Sequence, residues 1–248
     1  MSQSLRKGID TLLFMSSRKS VGVTEVAEAL DVNKSTAFRI LDTLLSYDMV
    51  EQNKDNKKYK LGPAILQLSQ RYNKNFSIIE VAKPVMERLA GEIRESVHLC
   101  VLANNSAVVI EQVISSSRLV VSAKIGNREP LHCSSVGKCL LAHAPDEIRN
   151  AILDIMTFDS FTPYTINNKE SLAVELAKIR EAGFAVDDRE LSLDIKCVAV
   201  PIWDANGLCV YTLGTSGAAG RMTEEKIEKI LPLLSKAAAT ISLGYKHN

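Results

Sequence analysis

The stretch Leu30-Asp31-Val32-Asn33-Lys34-Ser35-Thr36-Ala37-Phe38-Arg39-Ile40-Leu41 decides the reading of the fold. Asp31-Val32 makes a tight connection, and Asn33 is a good helix N-cap, because its side-chain oxygen can accept from the free N–H groups of a first turn. A helix is expected from there to about Ser46. At ~100° per residue, Ala37, Ile40, Leu41 and Leu44 form one apolar stripe. The opposite face carries Ser35, Arg39, Asp42 and Ser46, with Thr36 and Thr43 beside it. Such a helix anchors on one side and offers short hydroxyls and a guanidinium on the other, as reading a DNA major groove requires. Lys34, Ser35 and Thr36 lie in the first turn, where side chains and free N–H groups suit a phosphate.

Outward from this helix, the neighbours complete a small module. Leu5, Ile9, Leu12 and Leu13 predict an amphipathic helix over Leu5 to Met15. Thr24 is expected to cap a short helix with Val26, Ala27 and Leu30 inward. Downstream, two short alternating segments, Met49 to Gln52 and Lys58 to Leu61, flank a polar turn and predict a hairpin. Gly62-Pro63 stops it, and Ala64 to Tyr72 reads as a connecting helix. Helix, helix–turn–helix and hairpin in this order form a winged helix-turn-helix. Lys54, Lys57, Lys58 and Lys60 place four positive charges on the wing. The plain alternative is a three-helix module used for protein contacts, with those lysines as a solvated face.

Charge supports the nucleic-acid reading. The 248-residue chain has a net charge of only +1. Residues 1–75 hold 12 Lys/Arg against 8 Asp/Glu, and the remaining residues hold 18 against 21. A basic module of +4 therefore precedes a mildly acidic body of −3. With 46% hydrophobic and 24% charged residues, the chain is ordinary for a globular protein and excludes disordered and collagen-like classes. No apolar run approaches the ~18 residues that span a bilayer, and the first residues lack a signal-peptide layout, so a cytoplasmic protein is expected. Five cysteines with no C-x-x-C pair argue against a disulfide framework.

Asn73-Lys74-Asn75 is a polar break and the expected boundary. Beyond it, a helix from Ser77 toward Glu95 precedes strand-like segments at Val97–Leu102, Ala107–Val113 and Leu119–Lys124. Helices are expected over Ser134–Ala142, Asp146–Met156 and Lys169–Ala182, the last closed by Gly183. Val198–Trp203 and Leu208–Leu213 flank an Asn-Gly turn, a strong hairpin signal. A final helix runs from Thr223 to about Leu243. The second part is therefore α+β with a mixed or antiparallel sheet.

These residues resemble the IclR family of bacterial transcriptional regulators. Leu30 to Leu41 is similar to its helix-turn-helix, and Tyr59-Lys60-Leu61-Gly62 to the end of its wing. Pro130 to Lys138 and Phe161-Thr162-Pro163-Tyr164-Thr165 are similar to two further segments. Gly183, Asp187, Glu190, Cys197, Val198, Ala199, Ile202 and Asp204 fall at the spacing of the family signature, with Trp203 where relatives carry Phe, Tyr or His. The resemblance covers nearly the whole chain. It implies a winged helix-turn-helix over 1–62, a linker helix over 63–75 and a GAF-like effector domain over 76–248. It further implies homodimers or tetramers on double-stranded palindromic DNA, acting as repressor or activator. The DNA-contact set is then Lys34, Ser35, Thr36, Arg39, Thr43, Lys54, Lys57 and Lys58. The implied pocket comprises Ser135, Val136, Asp187, Cys197, Gly214 and Ser216, and takes a small carboxylate, aromatic acid or sugar acid. Gly214 is a departure, since relatives carry a hydroxyl there. The plain alternative makes Asp187 and Glu190 sheet-edge polar residues and Cys197 core packing.

Two competing chemistries stand beside this. Ser135-Val136-Gly137-Lys138 spells S-x-x-K, but no partner motif of serine acyl-enzymes follows. The simpler reading is a helix start with Ser134 or Ser135 as cap, Gly137 in close packing and Lys138 outward. His132, Cys133, Cys139 and His143, with His98 and Cys100 on a nearby strand, make a metal-like cluster that lacks C-x-x-C spacing. A phosphate-binding loop is excluded, because His132 stands where the first glycine would be needed. No cofactor, catalytic set or metal is expected.

Overall fold

The computed structural model describes residues 2–75, 77–117 and 120–246. The chain divides into two compact units, Met1–Phe76 and Ser77–Asn248.

In the first unit, α1 (Gln3–Ser16), α2 (Val23–Ala29) and α3 (Lys34–Ser46) precede the wing strands β1 (Val50–Gln52) and β2 (Tyr59–Leu61), and α4 (Pro63–Asn75) ends it. β1 and β2 pair antiparallel, Val50 opposite Leu61. Tyr59 also bridges to Val21, which ties the wing to the helices. The core is Met15, Val21, Val26, Ala27, Ala37, Leu41, Val50 and Tyr59.

Three expectations change here. The cap of α2 is Gly22 rather than Thr24: the Gly22 N–H donates to Glu25 Oε2 at 2.7 Å, which starts the helix two residues early. The helix α4 continues through Asn73-Lys74-Asn75, because three polar residues do not by themselves end a helix that has no Pro or Gly to stop it. The inner face of α1 is Thr11 and Met15, with Leu12 half-buried; Leu5, Ile9 and Leu13 face outward, 65%, 49% and 65% exposed.

The second unit begins with α5 (Ser77–Ile93), β3 (Ser96–Ala103), β4 (Ser106–Val113) and β5 (Arg128–Pro130). Then follow α6 (Ser135–His143), α7 (Asp146–Ile155), α8 (Lys169–Ala182), β6 (Ala185–Asp188), β7 (Ile195–Trp203), β8 (Cys209–Ala218) and α9 (Glu224–Lys246). The six strands form one sheet in the order β5-β4-β3-β8-β7-β6, with every ladder antiparallel among the described residues. Side-chain alternation divides its two faces. Cys100, Ala107, Val109, Ala185 and Ala199 meet Leu140, Leu141, Leu172 and Leu176 from α6 and α8. The other face packs against α5 and α9.

Residues 120–124 form no strand, and Leu119 lies outside the described residues, so the expected strand there is not found. Instead β5, β6 and the first residues of β7 complete the sheet. These segments are short or mixed with charge, and carry little periodic signal. All five cysteines are free. Among the described residues no helix is long and apolar enough to cross a membrane.

Candidate functional site: an exposed helix face and a small cavity

The cap expected at α3 is present. Asn33 Oδ1 accepts from the Thr36 N–H at 2.8 Å and from the Ser35 hydroxyl at 2.7 Å. Ala37 and Leu41 are buried, which turns Lys34, Ser35, Arg39 and Thr43 to solvent. Lys34 and Arg39 make no ion pair among the described residues, so both charges are available to a ligand. The hydroxyls are more committed. Thr43 donates to the Arg39 carbonyl at 2.8 Å, and the Ser35 proton points to its own cap. As placed, both can accept from a base edge; donating to a phosphate requires the hydroxyl to rotate.

Phe38 was missed. It is 51% exposed and lies three residues after Ser35, at the edge of the same face. Phe38 falls outside the apolar stripe of Ala37, Ile40, Leu41 and Leu44; its i, i+3 spacing from Ser35 is the available signal. An aromatic ring there suits contact with a thymine methyl. Beside Arg39, a cleft of about 310 Å³ brings Gln3, Ser4 and Lys7 of α1 next to Thr36, Arg39 and Thr43.

The wing lysines are not equivalent. Lys58 pairs with Glu25 at 3.4 Å and Lys60 with Glu51 at 2.8 Å. Lys54 and Lys57 are exposed and make no ion pair among the described residues. The turn between them is held by Asn53, whose side chain accepts from the Asp55 N–H at 2.8 Å.

In the second unit, Ser134 is the cap of α6: its hydroxyl accepts from the Gly137 N–H at 3.0 Å and donates to the Pro130 carbonyl. Gly137 is packed as expected, since an added Cβ would stand 2.4 Å from the Pro130 oxygen. The first-turn N–H groups of Ser135 and Val136 have no helical partner. They border a cavity of about 160 Å³ whose lining includes Ser135, Val136, Asp187, Cys197 and Ser216, five of the six residues expected there. A cavity of about 150 Å³ is enough to hold a benzene-sized molecule. Gly214 does not line it. It lies in the sheet beneath Val136 and His98, whose side chains would meet any Cβ at that position. His98 and Glu129 line the cavity and were not expected to.

The polar groups of the cavity are shaped by burial. Asp187 is 1% exposed and accepts from the N–H groups of Glu190 and Leu191, at 2.7 and 3.4 Å. Burial nonetheless pushes its carboxyl up to about 6. Cys197 donates to the Ser216 hydroxyl at 3.1 Å, and burial raises its thiol pKa. Burial likewise raises Glu129. Among the lining residues there is no lysine or arginine, so the α6 N–H groups and hydroxyls are what it offers an anion.

Lys138 is not outward but fully buried. Its ammonium pairs with Glu190 and, at 3.3 Å, with Glu175. Burial pushes Glu190 up to about 7, against the opposing pull of Lys138. This pair accounts for Glu190 in the signature and removes Lys138 from any role as a base for Ser135. Thr162 and Thr165 brace the same turn: their hydroxyls donate to the carbonyls of Arg189, at 2.7 Å, and Glu190, at 2.6 Å.

The metal-like residues do not assemble. His132 Nε2 donates to the Asp159 carbonyl at 2.9 Å and its ring packs against Phe158 and Phe161. His143 Nδ1 donates to the Cys139 carbonyl of its own helix, and its ring meets Trp203 edge-on at 5.1 Å. Among the described residues no group of three His, Cys, Asp or Glu is placed to hold a metal.

Known proteins share this architecture along the whole chain. Residues 4–54 match the IclR helix-turn-helix domain, and residues 70–243 match the family described as Bacterial transcriptional regulator IclR C-terminal. The HTH-type transcriptional regulator KdgR of Dickeya chrysanthemi is 31% identical over 98% of this chain and 80% of its own length. The HTH-type transcriptional repressor AllR of Escherichia coli (strain K12) is 32% identical over 99% and 92%. Among solved structures, the Thermotoga maritima IclR is 32% identical with a TM-score of 0.79, covering 98% of this chain and 99% of that one. An IclR homolog from Microbacterium hydrocarbonoxydans, complexed with 4-hydroxybenzoate, is 26% identical with a TM-score of 0.85, covering 99% and 100%. The chain belongs to the IclR family of transcriptional regulators, with a DNA-binding helix-turn-helix unit and a ligand-binding C-terminal unit.

Proposed function

We propose that the chain is a cytoplasmic, non-enzymatic repressor that binds a palindromic duplex as a dimer or tetramer and responds to a small organic acid. A single α3 reaches few base pairs, so two-fold pairing is the physical route to a specific site. Lys34, Ser35, Thr36, Arg39 and Thr43 contact the duplex, and Lys54, Lys57 and Lys58 add wing charge. The repressor AllR supports the sign of regulation.

The observation that carries the ligand reading is the cavity of about 160 Å³ at the start of α6, lined by Ser135, Val136, Asp187, Cys197 and Ser216. The acid's carboxylate bonds the Ser135 and Val136 N–H groups and the Ser216 hydroxyl, and its body fills the space beside Asp187 and Cys197. The neighbour complexed with 4-hydroxybenzoate supports an acid of this size. Ligand and duplex must favour different conformations for one to control the other, and the linker helix over 63–75 is where that difference is carried. A thermal-shift screen of aromatic and sugar acids, followed by titration calorimetry on Asp187→Asn, tests this reading. Neutralising the carboxylate beside the acid should change its affinity by about tenfold; unchanged affinity removes Asp187 from the site.

A further inference from the structure

One polar group in the cavity has no task. His98 on β3 lines it, is 4% exposed, and makes no hydrogen bond among the described residues. Its Nδ1 is buried without a partner among the described residues. Burial draws the ring down to about 4, so it is neutral at pH 7. A buried imidazole left unpaired costs the desolvation of its nitrogens, and native interiors tolerate few such groups without a reason. No protein hydrogen bond fixes its tautomer or ring flip, so both remain free to answer a ligand.

Independent evidence comes from the residue beneath it. His98 stands opposite Gly214 in the β3–β8 ladder. A Cβ on Gly214 would lie 2.4 Å from His98 Nε2 and 2.8 Å from Val136 Cγ1. The absent side chain is therefore what lets the imidazole lie over the sheet, against the first turn of α6. Any other residue at 214 would drive the ring or Val136 away. The chain has emptied one position and filled the space with a neutral donor–acceptor.

We propose that His98 sets the ligand specificity of the cavity: its imidazole, seated over Gly214, hydrogen-bonds a hydroxyl group of a small hydroxy acid. This rests on the cavity being the effector site. The α6 N–H groups take the acid's charge, and the neutral ring reads the neutral substituent. A hydroxyl suits it because it both donates and accepts, so either tautomer serves. A cavity with paired demands of this kind rejects the analogue lacking the hydroxyl, since the ring is then left unpaired again.

Titration calorimetry with matched acids tests the assignment: 4-hydroxybenzoate against benzoate, glycolate against acetate, and gluconate against hexanoate. Wild type should prefer the hydroxylated member of at least one pair by about tenfold or more, equivalent to about 1.4 kcal/mol. His98→Leu should abolish that preference while leaving the plain acid within about twofold. His98→Gln should recover part of it. Gly214→Ala, which displaces the ring without removing it, should behave like His98→Leu, and guards against a variant that fails to fold. A preference that persists in His98→Leu, or is absent from wild type in every pair, overturns the proposal. Histidine-ring NMR separates this from failure of the site itself. The chain has four histidines, and the resonance lost in His98→Gln identifies His98. A ligand that binds without moving that resonance lies elsewhere and defeats the cavity reading. A moved resonance with an unchanged preference in His98→Leu defeats only the role of His98. If no acid in the panel binds wild type, both fall.

Discussion

The wing lysines and Lys138 are the same side chain in opposite situations. Lys54 and Lys57 stand in solvent with no ion pair among the described residues, while Lys138 is fully buried between Glu190 and Glu175. An exposed cation can exchange counterions for phosphates, so the proposed wing contacts act through long-range charge that salt screens. A buried one is desolvated and is tolerated only because carboxylates answer it at close range. The first unit keeps its charge free for a partner, and the second spends its charge on holding a turn in place beside a cavity.

That contrast can be broken most forcefully at Lys138. Lys138→Ala leaves Glu190 and Glu175 without their cation and should destabilise the second unit by about 3–5 kcal/mol. Thermal melting of the full chain checks this, and Lys138→Met, which refills the volume, should not restore the loss. A near-neutral effect would mean that the pair is not buried as described.

Glu190 supplies a pH test. Its carboxyl is raised to about 7 from 4.5, so between these values the folded chain holds a proton that the unfolded chain has released. The stability it contributes is present at low pH and is lost as pH rises through the window. Wild type should therefore lose stability relative to Glu190→Gln between pH 5 and 8, on the order of 1–3 kcal/mol. A gap that stays constant in denaturant titrations across this range contradicts the burial argument.

The wing sharpens the comparison with smaller effects. Lys54→Ala should weaken duplex binding uniformly across sequences and reduce the log–log salt slope by about 1. Lys58→Ala should do less in binding, because Glu25 already occupies its ammonium. Its cost in stability should stay below about 1 kcal/mol, as for other exposed pairs. Equal salt slopes for the two variants would show that the Glu25 pair is irrelevant to DNA.

How far the sequence revealed these regions follows from the kind of signal each carries. The cap at Asn33, the stripe from Ala37 to Leu44, the wing and the helix ending at Gly183 depend on local chemistry, and each is present. Five of the six cavity residues were legible only through resemblance; nothing local in Asp187 or Ser216 announces a cavity. His98 and the inward turn of Lys138 were not legible as such. The position of His98 depends on Gly214 across a strand pair, 116 residues later in sequence, and Lys138 depends on Glu190 in a turn braced by Thr162 and Thr165. The outward Leu5, Ile9 and Leu13 misled for a related reason: periodicity reports an apolar face and not what covers it.

The most direct test of the DNA-reading face is Arg39. Wild type can be used to select duplexes from a randomised library, and the enriched sequence then measured with Arg39→Ala by fluorescence anisotropy at several salt concentrations. Enriched half-sites related by two-fold symmetry are expected, with Arg39→Ala weakening binding by about 1–3 kcal/mol and relaxing the preference for that sequence. Arg39→Ala binding the selected duplex as tightly and as selectively as wild type would contradict the account.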